Sequence, residues 1–193
     1  MKRLVTGFIT VILCLVMFPW QSVAQQGPQI AWSHTRPLTW ADFKGKPEAH
    51  DDLHAATTYA GIRLEVEEVA FPSGKITFKT EALFDPQRSW AHPERIDDHV
   101  LAHEQIHFDI AEMYARQLAR KLNKLQLTSK NKHSAQKYFQ QYSQLQLKAQ
   151  QQYDRECAHG LDKEKQQVWR SKLDKELRIA RKPVPTLVIG QGR

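Results

Sequence analysis

Between Tyr59 and Phe84 apolar and polar residues alternate, and from Ile96 onward the apolar spacing lengthens to three and four. Ile62, Leu64 and Val66 fall on one side of the first run, with Arg63, Glu65 and Glu67 on the other. Pro72-Ser73-Gly74 turns the chain, and Lys75 to Phe84 alternates again through Ile76, Phe78 and Ala82. This pattern predicts two antiparallel strands. Asp85 to His92 reads as a loop. Pro93 then suits the first turn of a helix, and Asp97 and Asp98 favour its positive end. The helix is expected to run to about Leu127, because Ile96, Val100, His103, His107, Ile110 and Tyr114 share one stripe. Thr128-Ser129-Lys130-Asn131 breaks the pattern, and a second long helix is expected over about His133 to Cys157. Its many glutamines read as a solvated outer face. His159-Gly160 marks a helix end, a shorter helix follows from about Asp162 to Ala180, and Pro183 and Pro185 open a tail.

Upstream, Gln29 to Ala49 is rich in Trp, Pro and Gly and keeps no period. Ile30, Trp32, Leu38, Trp40 and Phe43 are expected to anchor this irregular arm, with a short helical turn at Leu38 to Phe43 capped by Thr39. The whole predicts an α+β fold, a small antiparallel β-hairpin or sheet packed on long antiparallel helices.

The first residues change the picture of where the chain works. Lys2 and Arg3 precede a nearly unbroken apolar run from Leu4 to Phe18, and Ser22-Val23-Ala24 offers small residues to a signal peptidase. Residues 1–24 therefore read as a signal peptide, 25–182 as a single domain and 183–193 as a C-terminal tail. The apolar run is too short for a comfortable span, so no stable membrane insertion is expected after cleavage, an uncleaved anchor being the competing reading. The product is expected to be exported, to the periplasm or beyond the cell. Cys14 lies inside the apolar run rather than at its end, which argues against a lipoprotein.

Removing Lys2 and Arg3 lowers the formal charge from +7 to +5. The surplus is spread along the helices, including Lys121 to Lys132, so nucleic acid is not an expected partner. With Cys14 removed, Cys157 is alone and no internal disulfide can form. It reads as a small buried hydrophobe.

Chemistry concentrates at His103-Glu104-Gln105-Ile106-His107, an H-E-x-x-H sequence. With 3.6 residues per helical turn, two imidazoles four apart share a face and can grip one Zn²⁺, with Glu104 beside them as a base. Both histidines lie on the buried stripe, where an unpaired polar ring is costly, and this favours a metal over satisfied core histidines. His99 is also four residues before His103, but Val100 leaves that pair without a base. His34, His50, His54, His92 and His133 read as surface or loop residues.

Catalytic zinc usually takes three protein ligands. A turn centred between Ser129 and Lys130 brings position 156 level with position 103, so Tyr153 to Gly160 is delivered beside the motif. His159 is the preferred third ligand, since imidazole is the commonest zinc ligand and a helix end lets the ring swing. Glu156 comes next, and Asp154 is also within reach; His159 as a plain helix cap is the competing reading. Asp109 points off the ligand face and suits a role orienting an imidazole or a neighbouring loop.

His103-Glu-Gln-Ile-His-Phe-Asp109, Tyr153-Asp154 followed by His159-Gly160, and Gln166 with Trp169 together resemble the secreted bacterial domain of unknown function nine-two-two. Leu38-Thr-Trp-x-Asp-Phe43 and Ala55-Ala56-Thr57 are similar to its pattern too. This chain departs from it at Cys157, where Thr is usual. The resemblance covers nearly all of the mature chain and implies a zincin-like metallopeptidase architecture and a secreted zinc-dependent protease.

On that reading Glu104 takes a proton from a zinc-activated water and passes it to the departing amine. An outer hairpin strand aligns an extended peptide, and Tyr153 is a candidate oxyanion donor, although Tyr153 and Trp169 also suit the core. The expected partner is a peptide or protein substrate. The alternative is a non-catalytic envelope binding protein on a metallopeptidase-like scaffold. Glu104 favours the enzyme, because a purely structural zinc site has no need of it.

Overall fold

A computed structural model describes residues 27–47, 54–128 and 130–179. The signal peptide read at residues 1–24, His50 and the tail at 183–193 lie outside the described residues. The fold is α+β. Its strands are β1 (Ile30–Ala31), β2 (Ala56–Thr57), β3 (Ala60–Ala70), β4 (Lys75–Phe84) and β5 (Trp90–Ala91); its helices are α1 (Asp98–Leu125), α2 (His133–Glu156) and α3 (Lys163–Leu177). β3 and β4 form the expected hairpin, joined through Gly74, whose φ of 66° suits a residue without Cβ.

The arm adds a strand that its composition hides. β1 pairs antiparallel with β4, Ile30 opposite Phe84, so the sheet order is β1-β4-β3. β2 and β5 form a second, two-stranded sheet. Such two-residue strands carry no periodicity to read, and what fixes them is pairing with distant chain. A 3-10 turn at Trp40–Asp42 follows Thr39, and the Asp42 carboxylate accepts from the Thr39 N–H at 2.8 Å. The Thr39 hydroxyl meets the same carboxylate, so Thr39 is the N-cap as expected and Asp42 completes a capping box with it.

The register slips between Val66 and Glu68, leaving Glu67 as an extra residue in β3. Such a bulge restores the alternation, putting Val69 opposite the buried Ile76. Ile62 and Leu64 pack toward the helices, but Val66, Val69 and Phe71 are exposed. The hairpin outruns the helices that cover its inner face.

α1 starts later than Pro93. Arg95 N–H closes a turn on the His92 carbonyl, and extended Asp97 caps the helix by accepting from Val100 N–H at 2.7 Å. The helix ends at Leu125 with Gln126 left-handed, after which the Leu127 carbonyl accepts from Ile76 N–H at 2.7 Å. Asp162 likewise caps α3.

α1 is the central element. One side packs the sheet and arm through Phe108 and Ala111, against Leu38, Ala82 and Phe84. Its other side meets α2 and α3, where Ile106, Ile110 and Met113 pack with Ala149, Tyr153, Cys157, Trp169, Leu173 and Leu177. Burying each large apolar side chain contributes about 1.5–3 kcal/mol. Cys157 is fully buried in that cluster and its thiol is pushed up to about 11 by burial, as a small core hydrophobe would be. Among the described residues no helix is long and apolar enough to cross a membrane.

Candidate metal centre

His103 and His107 lie one turn apart on α1, both facing α2. Their Nε2 atoms are 3.2 Å apart. Asp154 on α2 sets Oδ1 3.0 Å from His107 Nε2 and 3.4 Å from His103 Nε2. Among the described residues these three side chains form the one group able to hold a metal ion. Burial alone would raise the Asp154 carboxyl, but hydrogen bonds from His103 and His107 outweigh it and hold the group well below its ordinary range. Burial would lower His107, yet the Asp154 hydrogen bond and the charges of Glu104 and Asp154 raise it. Surroundings that favour a proton on this ring also favour a metal cation in its place.

Glu104 is buried, and its Oε2 has no hydrogen-bond partner among the described residues. A buried polar atom left this way is rare and costs about 1–3 kcal/mol. Thr58 reaches the same residue, its hydroxyl donating to the Glu104 carbonyl at 3.3 Å. Tyr153 walls the site, stacking on the His103 ring at 4.7 Å and meeting His107 edge-on at 5.0 Å. Its hydroxyl is buried beside the His103 carbonyl, and burial pushes it well above the ordinary phenol range. That is the geometry of a structural ring rather than of an oxyanion donor.

His159 stands outside the group. Its exposed ring faces His54 at 5.3 Å, on a turn where Ala158, His159 and Gly160 take φ of 46°, 54° and 89°. Left-handed backbone costs a non-glycine residue about 1–2 kcal/mol. The turn is held from α1, where His99 Nε2 donates to the Gly160 carbonyl at 2.6 Å while Gln166 donates to the His99 carbonyl. His99 is thereby engaged and takes no part in the group. A Cβ at Gly160 would lie 3.3 Å from His103 Cγ, so the turn presses directly on a ligand ring.

Glu156 is exposed and faces α3, accepting from Trp169 Nε1 at 2.7 Å and from Gln152 at 2.7 Å. Two residues on a helix are about 200° apart, so Asp154 and Glu156 flank the buried stripe of α2 on opposite sides. The side facing α1 carries Asp154. Sequence spacing placed both at the right height, and only the position of α3 decides between them. Asp109 is fully buried and accepts from Trp32 Nε1 at 2.8 Å and Gln105 Nε2 at 2.9 Å, tying the arm to α1.

A family model described as bacterial protein of unknown function, DUF922, matches residues 21–160. The chain belongs to that family. The DUF922 match takes in His103, Glu104, His107 and Asp154 and stops at Gly160, so Gln166 and Trp169 lie beyond it. No curated protein and no solved structure matches the chain.

Proposed function

We propose that this DUF922 protein is an exported zinc-dependent peptidase in which His103, His107 and Asp154 hold the ion and Glu104 is the general base. The observation that carries this reading is the donor triangle beside a buried carboxylate with a free oxygen. Donors bound tetrahedrally at about 2.0–2.1 Å stand roughly 3.3–3.4 Å from one another. The three edges here, 3.2, 3.0 and 3.4 Å, are of that size. Two imidazoles and one carboxylate are a common catalytic donor set for zinc, which leaves a position open.

Bound there, zinc would acidify a water and polarise a peptide carbonyl. Glu104 sits beside its neighbour His103 with Oε2 uncommitted, so it can accept the water's proton and return it to the departing amine. Asp154 offsets part of the cation's charge, and Tyr153 fixes the plane of the His103 ring. β3 lies at an edge of its sheet and starts two residues after Thr58, which touches the Glu104 carbonyl. An extended peptide added along that edge would pass close to the base, a recurrent way to hold peptide substrates. A helix bearing the histidines beneath such a sheet suits a zincin-like architecture, and the signal read at residues 1–24 suits export. Glu104 also favours this reading over a non-catalytic binding protein, since among the described residues its Oε2 holds no hydrogen bond.

The test is Glu104→Gln against wild type, with zinc content and cleavage of a degenerate peptide library read side by side. The variant should keep about one zinc per chain and lose cleavage by about 10³-fold. Zinc-loaded wild type that cleaves no peptide, or a variant that cleaves as fast as wild type, would overturn the proposal.

A further inference from the structure

We propose that Gln150 is a positioning residue for the metal centre, its side-chain carbonyl holding the Nδ1 proton of His107 so that Nε2 is committed to the ion. The inference rests on the zinc peptidase reading for the ion's identity. The contacts themselves decide the amide's orientation. Gln150 Nε2 donates to the main-chain carbonyl of His107 at 2.9 Å, and a carbonyl can only accept. The amide's other end, 2.5 Å from His107 Nδ1, is therefore the oxygen. An amide oxygen also only accepts, so Nδ1 must carry the hydrogen. With Nδ1 held in this way, Nε2 is the nitrogen left for an ion, which would take the place of the proton Nε2 shares with Asp154 at 3.0 Å, 3.2 Å from His103 Nε2.

One side chain thus grips His107 at two points, backbone and ring, and fixes both its tautomer and its rotation. Metal-bound histidines commonly need such an acceptor behind them. Gln150 lies one turn before Asp154, so the same face of α2 brings a ligand and the lock on another ligand. The two rings are held differently. His103 Nδ1 has no partner among the described residues, and its ring is held by the Tyr153 face and the Gly160 backbone. His107 is the ring positioned by polar contact. The half-buried Gln150 also departs from the solvated face expected of the glutamines, as does Gln146, whose amide donates to the Ala60 carbonyl.

Gln150→Leu removes both contacts, whereas Gln150→Glu keeps an oxygen acceptor at Nδ1 and removes only the amide donor. Zinc affinity is measured by competition with a chromogenic chelator. The ring N–H proton of His107 is read by NMR in the zinc-loaded protein, and folding by circular dichroism. Leu should weaken zinc by about 10–100-fold and abolish the slowly exchanging N–H signal. Glu should restore both to within several-fold of wild type. Equal loss in the two folded variants would mean that the amide merely ties α2 to α1, and it would overturn the proposal. So would a Leu variant with wild-type affinity. If Leu does not fold, Gln150→Met is read against Glu in the same way. Wild type that takes up no zinc would overturn the peptidase reading as well, whereas tight wild-type binding indifferent to residue 150 overturns the role of Gln150 alone.

Discussion

Glu104 and Asp109 are both buried on α1, five positions apart, and their surroundings differ in kind. Asp109 faces the arm and accepts two strong hydrogen bonds, from Trp32 and Gln105; Gln105 in turn accepts from the Leu38 N–H at 2.7 Å. Three turns of buried polar contact are closed in this way, because Glu112 further along takes the Ala82 N–H and the Arg116 guanidinium. Glu104 lies near enough to His107 for its charge to act on that ring, and its Oε2 has no partner among the described residues. Burial of an acid therefore does not mark a site on this helix. An acid that the fold buries and does not satisfy does.

That contrast can be broken by substitution. Asp109→Ala leaves the Trp32 and Gln105 donors unmatched in a dry place and is expected to cost about 3 kcal/mol. Melting temperature would fall by roughly 6–12 °C, while zinc affinity should hardly move. A variant that melts normally yet loses zinc would place Asp109 in the metal site and erase the distinction. Glu104→Leu should act in the opposite sense. It removes a poorly satisfied carboxylate, so the metal-free protein should gain about 1 kcal/mol, as measured by urea unfolding. A clear loss of stability would show that Glu104 is structural after all.

Asp42 supplies a third, milder case on the arm. Burial would raise its carboxyl, but Arg36 and the Thr39 N–H outweigh this and keep it below the usual 3.8. Because the folded value is the lower one, its contribution is complete above about pH 4 and fades as pH falls through the depressed value. Asp42→Asn should cost no more than about 1 kcal/mol at neutral pH, since Arg36 is half exposed. It should cost progressively less in acid. A pH-independent difference in melting between variant and wild type would contradict that assignment.

Much of the fold was legible because long elements declare their period. The hairpin, the three helices and the loop between them follow from alternation, stripes and breaks, and the chain departs from them mainly at ends. Asp97, not Pro93, starts α1, because a side-chain acceptor for Val100 N–H fixes the first turn. The two-residue strands β1, β2 and β5 were hidden, since pairing with β4 or with each other makes them and nothing local does. At the site, H-E-x-x-H pointed to two imidazoles that the structure brings together. The third partner was harder to read. Asp154, Glu156 and His159 share one stretch of chain, and the choice depends on α1 flanking one side of α2 and α3 the other, as Trp169 on Glu156 attests. Gln150 was hidden for a related reason. A glutamine in a glutamine-rich helix carries no signal until its neighbour is known.

The most direct measurement of the central claim is zinc binding to wild type, Asp154→Ala and His159→Ala, each checked for folding by circular dichroism. Wild type should bind one zinc tightly, Asp154→Ala should weaken that binding by at least about 100-fold, and His159→Ala should leave it nearly unchanged. The reverse order, with His159 essential and Asp154 dispensable, would contradict the ligand set on which the whole account stands.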